Sequence, residues 1–345
     1  MGTHDVANCP RSTLRRDILR ALGMPPDLPT RVPTVTRGRT WTRDGVDGTE
    51  LRWASTHAWL LRPAGTAHTA LPAVLLMHGH DGVKRYGKEK VADGPDGTAP
   101  GVAALRRHGY DDRSVASGLV GAGFVVLVHD VFPWGSRRVE WDEFPERARR
   151  AGALFTDDSA RYEAAAREHE HGLAKIGVLT GRSLAAQILF EDVVALSVLR
   201  ADPGVDASRV AATGFSGGGA RVAHLLAAAD LAAGVITASM STFADIADGH
   251  ADDTTWSMIS PGLPAVCDWP DVAASAAPSP LLVQFARGDT HFGAQGMRGA
   301  EVSLQRTYQG SNSLTTQWFD CGHRFTADMQ DAAARWLSAR MTDHP

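Results

Sequence analysis

The sequence predicts an α/β fold: a mostly parallel central sheet with helices on both faces and a helical insertion. Three observations predict it. From residue 71 onward, short apolar runs alternate with helical patterns over the rest of the 345 residues. Most of those runs are continuously apolar, as strands covered on both faces must be. A serine in the glycine cluster Gly214-Phe215-Ser216-Gly217-Gly218-Gly219 stands between one such run and a helical pattern. That is the form of a nucleophile elbow, a cramped turn from strand to helix that leaves a hydroxyl free.

Before the alternation begins, residues 1–70 read as an extension packed on the core. Ser12 is a candidate cap for a helix carrying Leu14, Ile18 and Leu22 on one face, stopped by Gly23 and the Pro25-Pro26 pair. Residues 39–53 alternate around Asp-Gly turn signals, as a β-hairpin does, and a third short strand is expected at His57–Leu61. Residues 71–345 then form the catalytic domain. Its strand candidates are Ala73–Met77, Phe124–His129, Arg209–Thr213, Gly234–Ser239, Leu281–Ala286 and Leu314–Phe319. Helical patterns lie around 112–121, 184–200, 218–229, 296–309 and 325–341. The charged, aromatic-bearing stretch at about 133–180 interrupts the rhythm. A structureless loop of that length is unusual inside a compact domain, so it reads as an inserted helical lid.

Composition narrows the function classes. The apolar fraction of 43% suits a globular core, and the net charge of -4 supplies no basic excess for nucleic acid. Cys9, Cys267 and Cys321 cannot all pair within one chain and show no metal-binding spacing. Met1–Val6 lacks the basic and apolar regions of a secretory leader, and no apolar run is long enough to span a bilayer. The expectation is a soluble cytoplasmic protein acting on a small molecule, without nucleic-acid or membrane partners; self-association is left open.

A hydrolytic serine needs a base and a carboxylate, in the order Ser, Asp or Glu, His, each just past a strand. Asp289 ends the run from Leu281 where it breaks at Gly288, and His323 follows the run Leu314–Phe319. Asp268 and Asp320 compete for the acid. His291 competes for the base, though it shares a loop with Asp289. The oxyanion donors are expected to be the backbone N–H of Gly217 and, from the loop after an earlier strand, that of His80. His78, His80 and Asp81 could instead be metal ligands. That reading lacks a further close histidine and leaves the Ser, Asp, His order unexplained. Lys84, Lys88 and Lys90 are three of the chain's four lysines. They read as a solvated loop or as an electropositive rim for an anionic substrate. Trp134, Phe215, Lys84 and Lys88 are the candidate substrate contacts.

Residues 71–340 resemble the α/β-hydrolase superfamily, and within it bacterial acetyl xylan esterases and dienelactone hydrolases. The resemblance rests on His78–Gly82, Gly123–Asp130, Val205–Val210 leading into Gly214–Gly218, Pro280–Val283 with Gly288-Asp289, and Gly322–Phe325. It implies a serine esterase without metal or organic cofactor, with a triad at Ser216, Asp289 and His323. The expected substrate is an ester of a small or medium acyl group, such as acetyl on a sugar or secondary metabolite. A lactonase, peptidase or acyltransferase would use the same triad, and a non-catalytic ligand-binding homologue is the reading from another class. The acid loop departs from the pattern at Asp289–Gly293, where related proteins often place a proline. Residues 1–70 and 133–180 match nothing in the family.

Overall fold

The computed structural model describes residues 10–29 and 31–341. Cys9 and the Met1–Val6 stretch lie outside the described residues. Nine strands form one sheet: β1 (Thr36–Arg43), β2 (Val46–Trp53), β3 (Thr56–Pro63), β4 (Leu71–Met77), β5 (Val125–His129), β6 (Val205–Phe215), β7 (Ala233–Thr237), β8 (Leu281–Ala286) and β9 (Leu314–Phe319). Their spatial order is β1-β2-β3-β5-β4-β6-β7-β8-β9. The first three pair antiparallel and join the parallel remainder through β3 and β5. Each expected strand is present. The alternation of β4 explains the two cores: Ala73, Leu75 and Met77 enter one apolar layer, Val74 and Leu76 the other.

The helices are α1 (Arg11–Leu22), α2 (Ala103–Gly109), α3 (Val115–Gly121), α4 (Glu146–Gly152), α5 (Asp158–Thr180), α6 (Leu184–Arg200), α7 (Gly217–Ala228), α8 (Phe243–Asp245), α9 (Trp269–Ala274), α10 (Ala294–Thr307) and α11 (Ala327–Met341). In α1, Leu14, Ile18 and Leu22 are buried as one stripe, and Gly23 closes the helix at φ 82°. Burying each such side chain is worth about 1.5–3 kcal/mol, so Ile18→Asp would detach the helix. The cap expectation is corrected: Pro10 occupies the cap position without a side-chain bond, and Ser12 lies inside the first turn. Cys267 and Cys321 are free thiols.

The chain leaves β4 for β5 on one side and later crosses to β6 on the other. The loops after β4 and β6 therefore diverge, opening the crevice where ligands bind in such sheets. Residues 133–180 form α4 and α5 around a small core of Phe144, Ala148, Tyr162, Ala165 and Ala166. Among the described residues, no helix is long and apolar enough to cross a membrane.

Candidate active site

Ser216 sits between β6 and α7 with φ 54° and ψ −123°. That region costs a residue with a side chain of order 1–3 kcal/mol and persists only where surroundings enforce it. The Ser216 N–H donates to the Thr237 carbonyl at 3.0 Å, fixing the turn to β7. Close packing explains the glycines. A methyl group on Gly214 would lie 2.4 Å from the Gly218 carbonyl, and one on Gly218 would lie 2.3 Å from the Met77 oxygen. The elbow thus presses directly against the end of β4.

β8 and β9 are parallel neighbours in register up to Ala286 opposite Phe319, so the loops that follow leave side by side. They stay tied beyond the strands by Gly288 N–H donating to the Cys321 carbonyl at 2.9 Å. His323 Nδ1 lies 2.8 Å from Asp289 Oδ2, and His323 Nε2 lies 2.7 Å from Ser216 Oγ. Burial pulls the Asp289 carboxyl upward, but bonds from His291 and His323 outweigh it and hold it at about 2. Asp289 is therefore ionised across the neutral range, able to fix the imidazole tautomer and stabilise an imidazolium. Ser216, Asp289 and His323 are brought together as one hydrogen-bonded line.

The competitors stand elsewhere. Asp320 is exposed and pairs with Arg287, while Asp268 caps α9. His291 does join the site, but as a neighbour of the base. Its ring stacks on His323 with centroids 3.9 Å apart, and its backbone N–H donates to Asp289 Oδ1 at 2.8 Å. Sharing a loop with Asp289, His291 leaves the contact with Ser216 to His323.

On the other side of Ser216, a methyl group on Gly217 would lie 3.0 Å from the His80 backbone nitrogen. The Gly217 N–H opens α7, where helix N–H groups lack intrahelical partners and the dipole favours negative charge. His80 Nδ1 accepts from Gly82 N–H at 3.1 Å, which places the proton on Nε2 facing Glu170 Oε2 at 3.0 Å. His78 is buried with Nδ1 against the Gly79 oxygen. His78, His80 and Asp81 thus point to separate partners instead of one ion.

Two sequence expectations are corrected here. Lys84, Lys88 and Lys90 are neither a solvated loop nor a rim, since their exposures are 3%, 6% and 0%. Lys84 Nζ pairs with Glu170 Oε1 at 3.0 Å, Lys88 Nζ with Asp130 Oδ2 at 2.8 Å, and Lys90 Nζ lies 3.4 Å from Asp81 Oδ2. A lysine run in sequence says nothing about these acids, which come from distant elements. Nor do Trp134 and Phe215 reach the hollow. Trp134 is buried beneath Lys84, and Phe215 supports the His323 ring with centroids 4.8 Å apart.

Beside Ser216 lies a hollow of about 260 Å³, lined by charged and polar residues together with Trp256, Met258 and Phe292. Arg167 and His171 come from α5, while Asp252, Asp253, Thr255 and Trp256 come from the loop after β7. Sequence reasoning missed these residues, because no motif marks a wall assembled from two distant segments. Trp256 Nε1 donates to His171 Nδ1 at 3.1 Å, linking them.

No protein-family model and no curated protein matches this sequence. Solved structures do match in fold. A glucuronoyl esterase from Solibacter usitatus superposes with a TM-score of 0.68 at 13% identity, covering 98% of this chain and 93% of its own. A promiscuous CE15 esterase from a marine bacterial metagenome gives 0.58 at 14%, covering 99% and 94%. An acetyl xylan esterase from Paenibacillus sp. R4 gives 0.57 at 13%, covering 99% and 96%.

Proposed function

We propose that this chain, an α/β-hydrolase fold with a serine, a histidine and an aspartate in one hydrogen-bonded line, is a serine-dependent carboxylic ester hydrolase. The observation that carries the reading is His323, bonded through one nitrogen to Ser216 and through the other to Asp289. Ser216 Oγ attacks the ester carbonyl while His323 Nε2 takes its proton. The carbonyl oxygen becomes an oxyanion in the hole formed by the N–H groups of Gly217 and His80. His323 returns the proton to the departing alkoxide, leaving an acyl group on Ser216. Water, deprotonated by His323, then attacks the acyl carbonyl; the bond to Ser216 Oγ breaks as His323 returns the proton to that oxygen, and the acid is released.

The small hollow supports a short acyl group, and the side chains of Arg167, Asp252, Asp253 and Thr255 in its wall support a hydroxylated alcohol portion such as a sugar. The neighbours named for acetyl xylan and glucuronoyl esters lend the same direction to the substrate class. We place the enzyme in the cytoplasm, and the α4–α5 insertion is read as a lid bordering its hollow.

Two measurements test this. A fluorophosphonate probe is expected to leave one covalent adduct, located on Ser216 by mass spectrometry. Across p-nitrophenyl esters from acetate to octanoate, kcat/KM is expected to fall with chain length. No adduct on folded protein would overturn the hydrolase, and a preference for octanoate would overturn the short-acyl assignment.

A further inference from the structure

Three consecutive carbonyl oxygens in the loop after β4 accept hydrogen bonds from buried cations. Arg221 Nη1 donates to the His78 oxygen at 3.2 Å. Lys90 Nζ donates to the Gly79 oxygen at 3.0 Å and to the His80 oxygen at 2.9 Å. Lys90 is fully buried and Arg221 is 3% exposed. Neither touches the hollow beside Ser216, and the steps above use neither.

Peptide geometry gives this arrangement a consequence. The Gly79 carbonyl and the His80 N–H belong to one planar trans unit, so they point in opposite directions. A donor that captures the Gly79 oxygen therefore aims the His80 N–H the other way; Gly217 flanks that nitrogen so closely that a methyl group on it would lie 3.0 Å away. We propose that Lys90 is a positioning residue for the oxyanion hole: by gripping the Gly79 and His80 carbonyls, it holds the His80 N–H towards Ser216. Arg221 fixes the preceding peptide through the His78 oxygen, while Asp192 grips its guanidinium with bonds of 2.7 and 3.1 Å.

Lys90 is itself held. Its backbone oxygen accepts from Arg106 Nε at 3.1 Å, and its N–H donates to Gly87. Its ammonium has three donors, and the two loop carbonyls and Asp81 can occupy all of them. Burial depresses the Lys90 ammonium, and Asp81 partly offsets this. The buried positive charge also adds to the field that a developing oxyanion meets.

The inference rests on the ester-hydrolase reading, and its test separates the two. Fluorophosphonate labelling and turnover of p-nitrophenyl acetate by the unaltered full chain report on the reading alone; a wild type lacking both overturns that reading and this inference with it. Lys90→Met keeps the length of the side chain and removes the donor. It is expected to lower kcat about 10²–10³-fold, the effect of losing one oxyanion donor, while KM changes less than about threefold. The affinity for an aryl boronic acid, whose adduct on Ser216 is tetrahedral, should fall in parallel. Because Lys90→Met leaves the Asp81 carboxylate with the Tyr110 hydroxyl but no cation, the double variant Asp81→Asn/Lys90→Met removes the pair together. It carries the test if the single variant does not fold. Either variant, folded by circular dichroism, with kcat and boronate affinity within threefold of wild type would overturn the proposal. So would a loss of activity that merely tracks a loss of folded protein.

Discussion

On one flank of Ser216, Asp289 and His323 hang from the ends of two neighbouring strands. The register of β8 and β9 delivers them almost ready-made. On the other flank, the loop after β4 has no strand partner. It is surrounded by Lys84, Lys88, Lys90, Arg106 and Arg221, all buried. Their acids or carbonyls come from α5, α6, the residue just after β5 and the loop itself. The contrast follows from backbone accounting. A loop folded against a buried elbow must find donors for its carbonyls, and where no strand supplies N–H groups, side chains must. Regular pairing is robust to substitution, whereas breaking a buried ion pair leaves an uncompensated charge costing about 3–5 kcal/mol. The relay flank should thus fail in chemistry, and the oxyanion flank in chemistry and stability together.

The largest effects test the relay flank. Ser216→Ala is expected to lower kcat by about 10⁴–10⁶-fold and to abolish the fluorophosphonate adduct, with the melting temperature nearly unchanged. Asp289→Asn should lower kcat about 10⁴-fold, because the amide holds the wrong tautomer of His323. Steady-state kinetics with p-nitrophenyl acetate and thermal unfolding measure both. A large drop in melting temperature for either variant would erase the contrast between the flanks.

The oxyanion flank is tested through α5. Glu170 accepts from His80 and Lys84, and Glu163, seven residues earlier on the same face, accepts from the N–H groups of Lys84 and Arg85 at 2.6 and 3.0 Å. Glu170→Ala is expected to destabilise by about 3–5 kcal/mol, since it leaves the Lys84 ammonium buried and unpaired. A pH signature sharpens this. Burial raises the Glu170 carboxyl, but Lys84 and His80 outweigh it and hold it at about 2, below its ordinary 4.5. A depressed folded value means stability that is complete above about 4.5 and lost as pH falls toward 2. Urea midpoints measured between pH 6 and 3 should fall more steeply for wild type than for Glu170→Gln. Equal slopes would remove Glu170 from the acid-sensitive set.

The same division governs what could be read from the sequence. The strands, the elbow and the order Ser216, Asp289, His323 were legible because each depends on local rules: apolar runs, glycine sterics and placement at strand ends. The lysines were misread because burial is a property of partners. Lys84 looks solvated until Glu170, 86 positions on, folds against it. Ser12 resembled a cap by residue type alone, yet the helix begins one residue before it. The polar wall of Arg167, His171 and Trp256 was invisible for the same reason, being assembled from α5 and the loop after β7.

The smallest expected effect lies where the two kinds of construction meet, at His291. Its ring stacks on His323, and both side chains turn toward Asp289. The Asp289 carboxylate, 3.6 Å from His291 Nδ1, raises His291 above its ordinary value, burial opposing, and Asp253 adds attraction. Near neutral pH, His291 therefore carries part of a positive charge against the ring that must become an imidazolium during acylation. In the proposed acylation, that charge repels the imidazolium that His323 becomes. His291→Phe retains a flat ring for stacking and removes the charge. The acid limb of the kcat/KM profile should then move to higher pH by less than about one unit, with kcat on the plateau changed only a few-fold. A limb that stays in place, or moves to lower pH, would show that the stack serves packing alone.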